Sequence, residues 1–187
     1  MNKIIYRLRT AVMLLCAALM LTACVHEDEP DIRSAIADGD PLPRFEVDLS
    51  DGTHFSSESP GENGSLILFF TTGCPDCQRV LPLIQQTSLM SPLTRIVAIS
   101  RAEGEEAVAA YWRENSLTLP YSAQKSADIY RLFATAGIPR VYIADREGRV
   151  VAQYYDREIP VPAVLASALW RLYSTGNGRQ CDPGEKI

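Results

Sequence analysis

Apolar and polar positions fall into short blocks whose period changes along the chain. Arg44-Phe45-Glu46-Val47-Asp48-Leu49 alternates, Ser50-Asp51-Gly52 turns and Thr53-His54-Phe55 resumes, which predicts a β-hairpin. A loop rich in Gly, Ser and Pro, Ser57 to Ser65, leads to the uninterrupted apolar run Leu66-Ile67-Leu68-Phe69-Phe70, read as a buried strand. Gln78 to Met90 then places Val80, Leu81, Ile84 and Leu89 at helical spacing, with Pro82 inside the helix to bend it. Ile96 to Ile99 reads as a second buried strand and Glu105 to Glu114, carrying Val108, Tyr111 and Trp112, as a second helix. Leu117 to Tyr121 supplies a short edge segment, and Ser126 to Ala136 a helix ended by Gly137. Val141-Tyr142-Ile143-Ala144 and Val150 to Tyr154 flank the turn Asp145-Arg146-Glu147-Gly148, and Pro162 to Tyr173 closes the pattern as a helix. The order predicts an α/β fold: a central mixed sheet with helices on both faces, preceded by an N-terminal β-hairpin.

The first residues follow another logic. Lys3, Arg7 and Arg9 precede the apolar stretch Ala11 to Leu21, which is short for a membrane span and ends in Leu21-Thr22-Ala23-Cys24. That tetrapeptide resembles a bacterial lipobox, which implies a signal peptide over residues 1–23, cleavage before Cys24 and lipid on its sulfur; an uncleaved hydrophobic anchor is the alternative. Either way the chain is held in the cell envelope outside the cytoplasm, on the periplasmic side or at the cell surface. Residues 24–43 mix Asp, Glu, Pro and Gly with few large apolar residues and are expected to form a solvated acidic tether. Within it Glu27-Asp28-Glu29 loosely resembles the surface-export signal of lipoproteins of the Bacteroides group. The folded domain is then expected over 44–174, with a tail over 175–187.

The complete chain of 187 residues has a formal net charge of −5. Removing the signal takes three basic residues and no acidic one, leaving 15 Lys+Arg against 23 Asp+Glu, a net −8. So acidic a body is a poor partner for nucleic acid. Of five cysteines, Cys16 leaves with the signal and Cys24 carries lipid, so Cys74, Cys77 and Cys181 remain for chemistry.

Cys74-Pro75-Asp76-Cys77 stands where the buried strand meets the helix. Gly73 breaks the strand and Pro75 suits a helix's first turn, so the two cysteines lie one turn apart, close enough for a disulfide. Unpaired backbone N–H groups and the positive end of the helix dipole point at the first sulfur, making Cys74 the better nucleophile and leaving group. Half a zinc site and an inert bridge are the competing readings. Zinc wants four ligands, and Cys181, His26 and His54 supply no second close pair, so no metal is expected; His54 reads as an exposed hairpin residue. Cys181, in a tail rich in Gly, Asn and Pro, reads as incidental, with an intermolecular bridge or a third redox role as alternatives.

The strand, Cys-Pro-Asp-Cys, Pro82 in the next helix, Gly137-Ile138-Pro139 before the late hairpin and the lipoprotein signal together resemble the TlpA/ResA-type thioredoxin-like lipoproteins of the branch common in Bacteroidetes. The resemblance covers about residues 40–174 and implies a thioredoxin-like core of four or five strands. It implies thiol-disulfide oxidoreductase activity outside the cytoplasm and a cis bond before Pro139 beside the cysteines. A cis bond at a strand's entry would leave the Ile138 N–H and C=O free to pair with a client chain across Cys74, making Ile138 and Pro139 substrate-binding; a trans proline that merely stops the preceding helix is the alternative. Glu103 stands where ResA-like proteins carry a glutamate near the cysteines, where it would be catalytic by accepting the Cys77 proton; it also reads as the acidic start of a solvated helix. No cofactor is implied beyond the redox pair. With no nucleotide-binding motif in the chain, a membrane partner would supply electrons, and exported protein thiols and disulfides would be the clients.

Three departures from the family pattern qualify this. Asp76 opposes a Cys74 thiolate and makes the disulfide harder to reduce, which favours a reductant or isomerase over a strong oxidant. Leu68 takes the place of the buried acid of thioredoxins, and Arg140 would add positive charge near the substrate groove. The enzymatic rival is a thiol peroxidase, since Thr71-x-x-Cys74 matches half of a peroxiredoxin site, although Ile67 stands where that site has proline. A non-catalytic binding lipoprotein on the same fold is the third reading.

Overall fold

The computed structural model describes residues 34–176. The signal, Cys24, the acidic run Glu27 to Glu29 and Cys181 lie outside the described residues. A small hairpin, β1 (Glu46–Asp48) with β2 (His54–Ser56), precedes the core, paired antiparallel with Val47 opposite Phe55. The core elements are β3 (Ser65–Phe70), α1 (Pro75–Met90), β4 (Arg95–Ser100), α2 (Glu105–Glu114) and β5 (Tyr121–Ser122). They continue as α3 (Asp128–Phe133), β6 (Arg140–Ala144), β7 (Val150–Tyr155), a 3₁₀ turn (Asp156–Glu158) and α4 (Pro162–Gly176).

Five strands form one sheet in the order β5-β4-β3-β6-β7, with β3, β4 and β5 parallel and β6 and β7 antiparallel to their neighbours. β3 is central, which explains its unbroken apolar sequence: all six residues are buried, because both faces are covered. The period of two divides its side chains. Leu66, Leu68 and Phe70 pack with α1, α2 and α4, while Ile67 and Phe69 meet α3 and the β1–β2 hairpin. β6 repeats the division, Val141 and Ile143 to one side and Tyr142 and Ala144 to the other. Leu68, fully buried opposite Ala98 and Val141, is pure packing where an acid was a family expectation. Gly64 (φ +73°) lets the end of β6 approach closely here, since a Cβ would overlap the Ala144 carbonyl oxygen.

Two segments differ from the expected pattern. Residues 34–43 of the expected tether are mostly exposed, yet they also run along the β6–β7 hairpin as a hydrogen-bonded strap. Gly39 N–H donates to Val150 O (2.7 Å), Val150 N–H to Asp40 O (2.8 Å) and Leu42 N–H to Gly148 O (2.7 Å), and Leu42 is 7% exposed. The helix expected over 126–136 is shorter. It ends at Phe133 because the strap competes for its last turn: Ala35 N–H takes the Phe133 carbonyl (2.8 Å) and Ala134 turns extended to bridge Ser34. Gly137 (φ +84°) therefore sits in a loop after the helix rather than at its end.

Candidate active site

The carboxyl end of β3 delivers Thr71 and Thr72 to the start of α1. Cys74 is its N-cap, in extended conformation (φ −87°, ψ 119°), and Pro75 fills the first helical position, where no N–H is needed. The cap is made by sulfur: Cys77 N–H donates to Cys74 Sγ at 3.4 Å, and Gln78 N–H to the Cys74 carbonyl at 3.0 Å. Cys74 is half-buried and Cys77 fully buried, and the two are not bridged to each other. Burial pushes the Cys77 thiol far above the ordinary thiol range, and the neighbouring Cys74 sulfur and the Asp76 charge add to the effect against a contact with the Thr71 backbone. The pair is thus asymmetric, one sulfur open at a helix N-terminus and the other held back as a neutral thiol.

The opposite wall is the loop from Ala134 to Pro139. The Ile138–Pro139 peptide is cis, and the Ile138 carbonyl accepts from Cys74 Sγ at 3.8 Å. Pro139 is buried and its carbonyl accepts from Asp156 N–H at 3.1 Å. The structure therefore brings Cys74, Cys77, Ile138 and Pro139 together.

Glu103 is present in the same region but faces Thr72. Its two carboxylate oxygens accept Thr72 N–H (2.6 Å) and Thr72 Oγ1–H (2.8 Å), while Ser100 Oγ donates to its carbonyl (2.7 Å). Gln78 Nε2–H closes the turn onto the Thr72 carbonyl at 2.8 Å. Asp76 lies 3.6 Å from Arg79 Nη2, whose guanidinium also donates to the Asp156 carbonyl at 3.4 Å.

Arg140 is not the groove charge expected from the sequence. It is 2% exposed, and its guanidinium is turned inward to the carbonyls of Ala136 and Gly137, because those carbonyls have no helical partner once α3 stops at Phe133. Tyr130, another residue missed by sequence reasoning, donates its hydroxyl to the Gly137 carbonyl at 2.7 Å. Its aromatic spacing in α3 signalled only core packing. Among the described residues no three of His, Cys, Asp or Glu come together as a metal site; His54 is exposed and lies 2.9 Å from Asp48 Oδ1.

A profile of the AhpC/TSA family matches residues 39–153, more than half of the chain. No curated protein matches. Among solved structures, a candidate protein disulfide isomerase from Bacteroides thetaiotaomicron is similar at 24% identity and a TM-score of 0.67, over 78% of this chain and 94% of that one. A thioredoxin-family thiol:disulfide interchange protein from Chlorobium tepidum is similar at 23% identity, TM-score 0.61, over 73% and 98%. A secreted disulfide oxidoreductase from Mycobacterium tuberculosis is similar at 16% identity, TM-score 0.59, over 68% and 96%. These likenesses establish the thioredoxin-like fold expected from the sequence.

Proposed function

The chain belongs to the AhpC/TSA family, and on that premise we propose that it is a thiol-disulfide oxidoreductase working through Cys74 and Cys77. The observation that carries the reading is the position of Cys74 Sγ, which takes the N–H of Cys77 at 3.4 Å and faces the Ile138 carbonyl at 3.8 Å. An attacking sulfur, its resolving partner and a backbone edge for a client chain meet at one point.

In the reductive direction the Cys74 thiolate attacks one sulfur of a client disulfide. A Cys74–client bond forms, and the other client sulfur leaves as thiolate and takes a proton. Cys77 then loses its proton and attacks Cys74, releasing the second client thiol and leaving the Cys74–Cys77 disulfide. Two electrons have passed to the client, and a dithiol donor must return them. Burial of Cys77 keeps it from competing for the first attack. We assign Ile138 and Pro139 to holding the client and Glu103 to fixing Thr72, and through it the turn that carries Cys74. Asp76 beside the attacking sulfur supports a reductant or isomerase.

The finer setting belongs to the same proposal. Leu21-Thr22-Ala23-Cys24 supports lipid anchoring at Cys24, hence exported proteins as clients and a membrane partner as electron donor. Against a peroxidase stands Ile67, fully buried in the central strand, with Val97 and Tyr142 opposite it on either side, where a proline would break the ladder. The test is to supply the purified protein with dithiothreitol and either insulin or hydrogen peroxide. Insulin reduction should exceed the dithiothreitol background by about tenfold or more, with peroxide consumption at background. Peroxide consumption with insulin untouched would assign the peroxidase.

A further inference from the structure

The carbonyls that lead into β6 have different partners. Ala136 O accepts from Arg140 Nη2 (2.8 Å) and Nε (3.1 Å), and Gly137 O from Tyr130 Oη (2.7 Å) and Arg140 Nε (3.3 Å). Pro139 O accepts from the Asp156 N–H (3.1 Å). Between them the Ile138 carbonyl has, among the described residues, only the Cys74 sulfur, at 3.8 Å. The cation that holds the first two carbonyls is itself costly, being 2% exposed with no carboxylate among the described residues within ion-pair distance. It also meets the Tyr130 hydroxyl, the Tyr142 hydroxyl (3.4 Å) and the Tyr155 ring, 5.5 Å from the guanidinium carbon. Burying an arginine unpaired is unfavourable, and an apolar side chain would pack at the same point without that penalty. The guanidinium does what no apolar residue can: its rigid fork reaches two successive carbonyls at once.

We propose that Arg140 is a positioning residue of the exchange reaction, a buried latch that, with Tyr130, draws the Ala136 and Gly137 carbonyls inward and so turns the Ile138 carbonyl toward the attacking sulfur and the client backbone. The proposal rests on the thiol-disulfide reading and adds what sets the geometry of the client-binding wall. Tyr142 extends the latch to the strap, donating to Phe133 O (3.2 Å) and meeting Ser34 Oγ (3.4 Å).

The latch acts on a backbone edge that only a peptide client needs, so a protein disulfide and a small disulfide should respond differently. Arg140→Met, which keeps the bulk and removes the donors, should lower kcat/KM for insulin reduction by about tenfold, mostly through KM, and leave the rate with the aromatic disulfide DTNB within about twofold. Arg140→Lys should recover part of the loss. Tyr130→Phe should lower insulin kcat/KM by about threefold with the DTNB rate unchanged. Amide exchange over residues 134–139 should quicken by about tenfold in Arg140→Met and stay unchanged in α1. Insulin kinetics like wild type, or insulin and DTNB rates falling together, would overturn the latch; so would unchanged exchange. If Arg140→Met does not fold, Tyr130→Phe decides by the same ratio and the same exchange. If the wild type reduces neither insulin nor DTNB, the thiol-disulfide reading falls and takes the latch's role in exchange with it, whereas a wild type that reduces both leaves the latch to be decided by the variants.

Discussion

The wall that carries Cys74 and Cys77 is built from neighbours in sequence, whereas the wall that carries Ile138 is held by residues as remote as Ser34, 108 positions from the Tyr142 it meets. In the first, a strand, a turn and a helix follow one another within Ser65–Met90, and the Cys74 cap closes over three residues. In the second, Tyr130, Arg140 and Asp156, each from a different element, take the carbonyls of one loop. The Cys74 sulfur is placed by local geometry, and the Ile138 wall proposed as the client's seat is placed by tertiary structure. Damage far from the cysteines should therefore disturb binding before it disturbs thiol chemistry.

The largest effect that would sharpen this contrast lies in the strap. Leu42→Ala should lower stability by about 2–4 kcal/mol, read from the urea midpoint, because Leu42 is 7% exposed against the aromatic cluster of that face. A loss near zero would return residues 34–43 to the role of a spacer. The local wall has its own signature in pH. Cys77 stays neutral by burial when folded but ionises freely when unfolded, so the unfolded chain binds fewer protons and stability falls as pH rises. The reduced protein should lose up to about 1.4 kcal/mol per pH unit from about pH 8.5 upward, and Cys77→Ala should lack that slope. The comparison is cleanest below about pH 10, before Tyr121, pushed up to about 12 by burial and by Glu105, adds a slope of the same sign. A smaller effect is expected at Glu103, a distant support of the local wall. Glu103→Gln should cost about 1 kcal/mol, since Thr72 keeps an acceptor but loses its charge, and should leave resolution by Cys77 within about threefold. Resolution slowed by about tenfold or more would make Glu103 the proton acceptor instead.

The same contrast explains what could be read from the sequence. β3, α1, α2 and the β6–β7 hairpin announce themselves through local period and turn chemistry, and Cys-Pro-Asp-Cys is recognisable because its geometry follows from spacing along one helix turn. α3 was overestimated because nothing between 126 and 136 shows that Ala35 will claim the Phe133 carbonyl. Residues 34–43 have the composition of a spacer, and nothing within them shows that β7, the 148 turn and Phe133 will supply partners. Arg140 reads as a charge near the substrate groove until the carbonyls at 136 and 137, left without helical partners, come into view.

The most direct measurement of the central claim is covalent capture in Cys77→Ala. Mixed with insulin, this variant should accumulate a mixed disulfide that dithiothreitol cleaves and that peptide mass analysis assigns to Cys74. Absence of the adduct, under conditions where the wild type reduces insulin, would contradict exchange through Cys74 with resolution by Cys77.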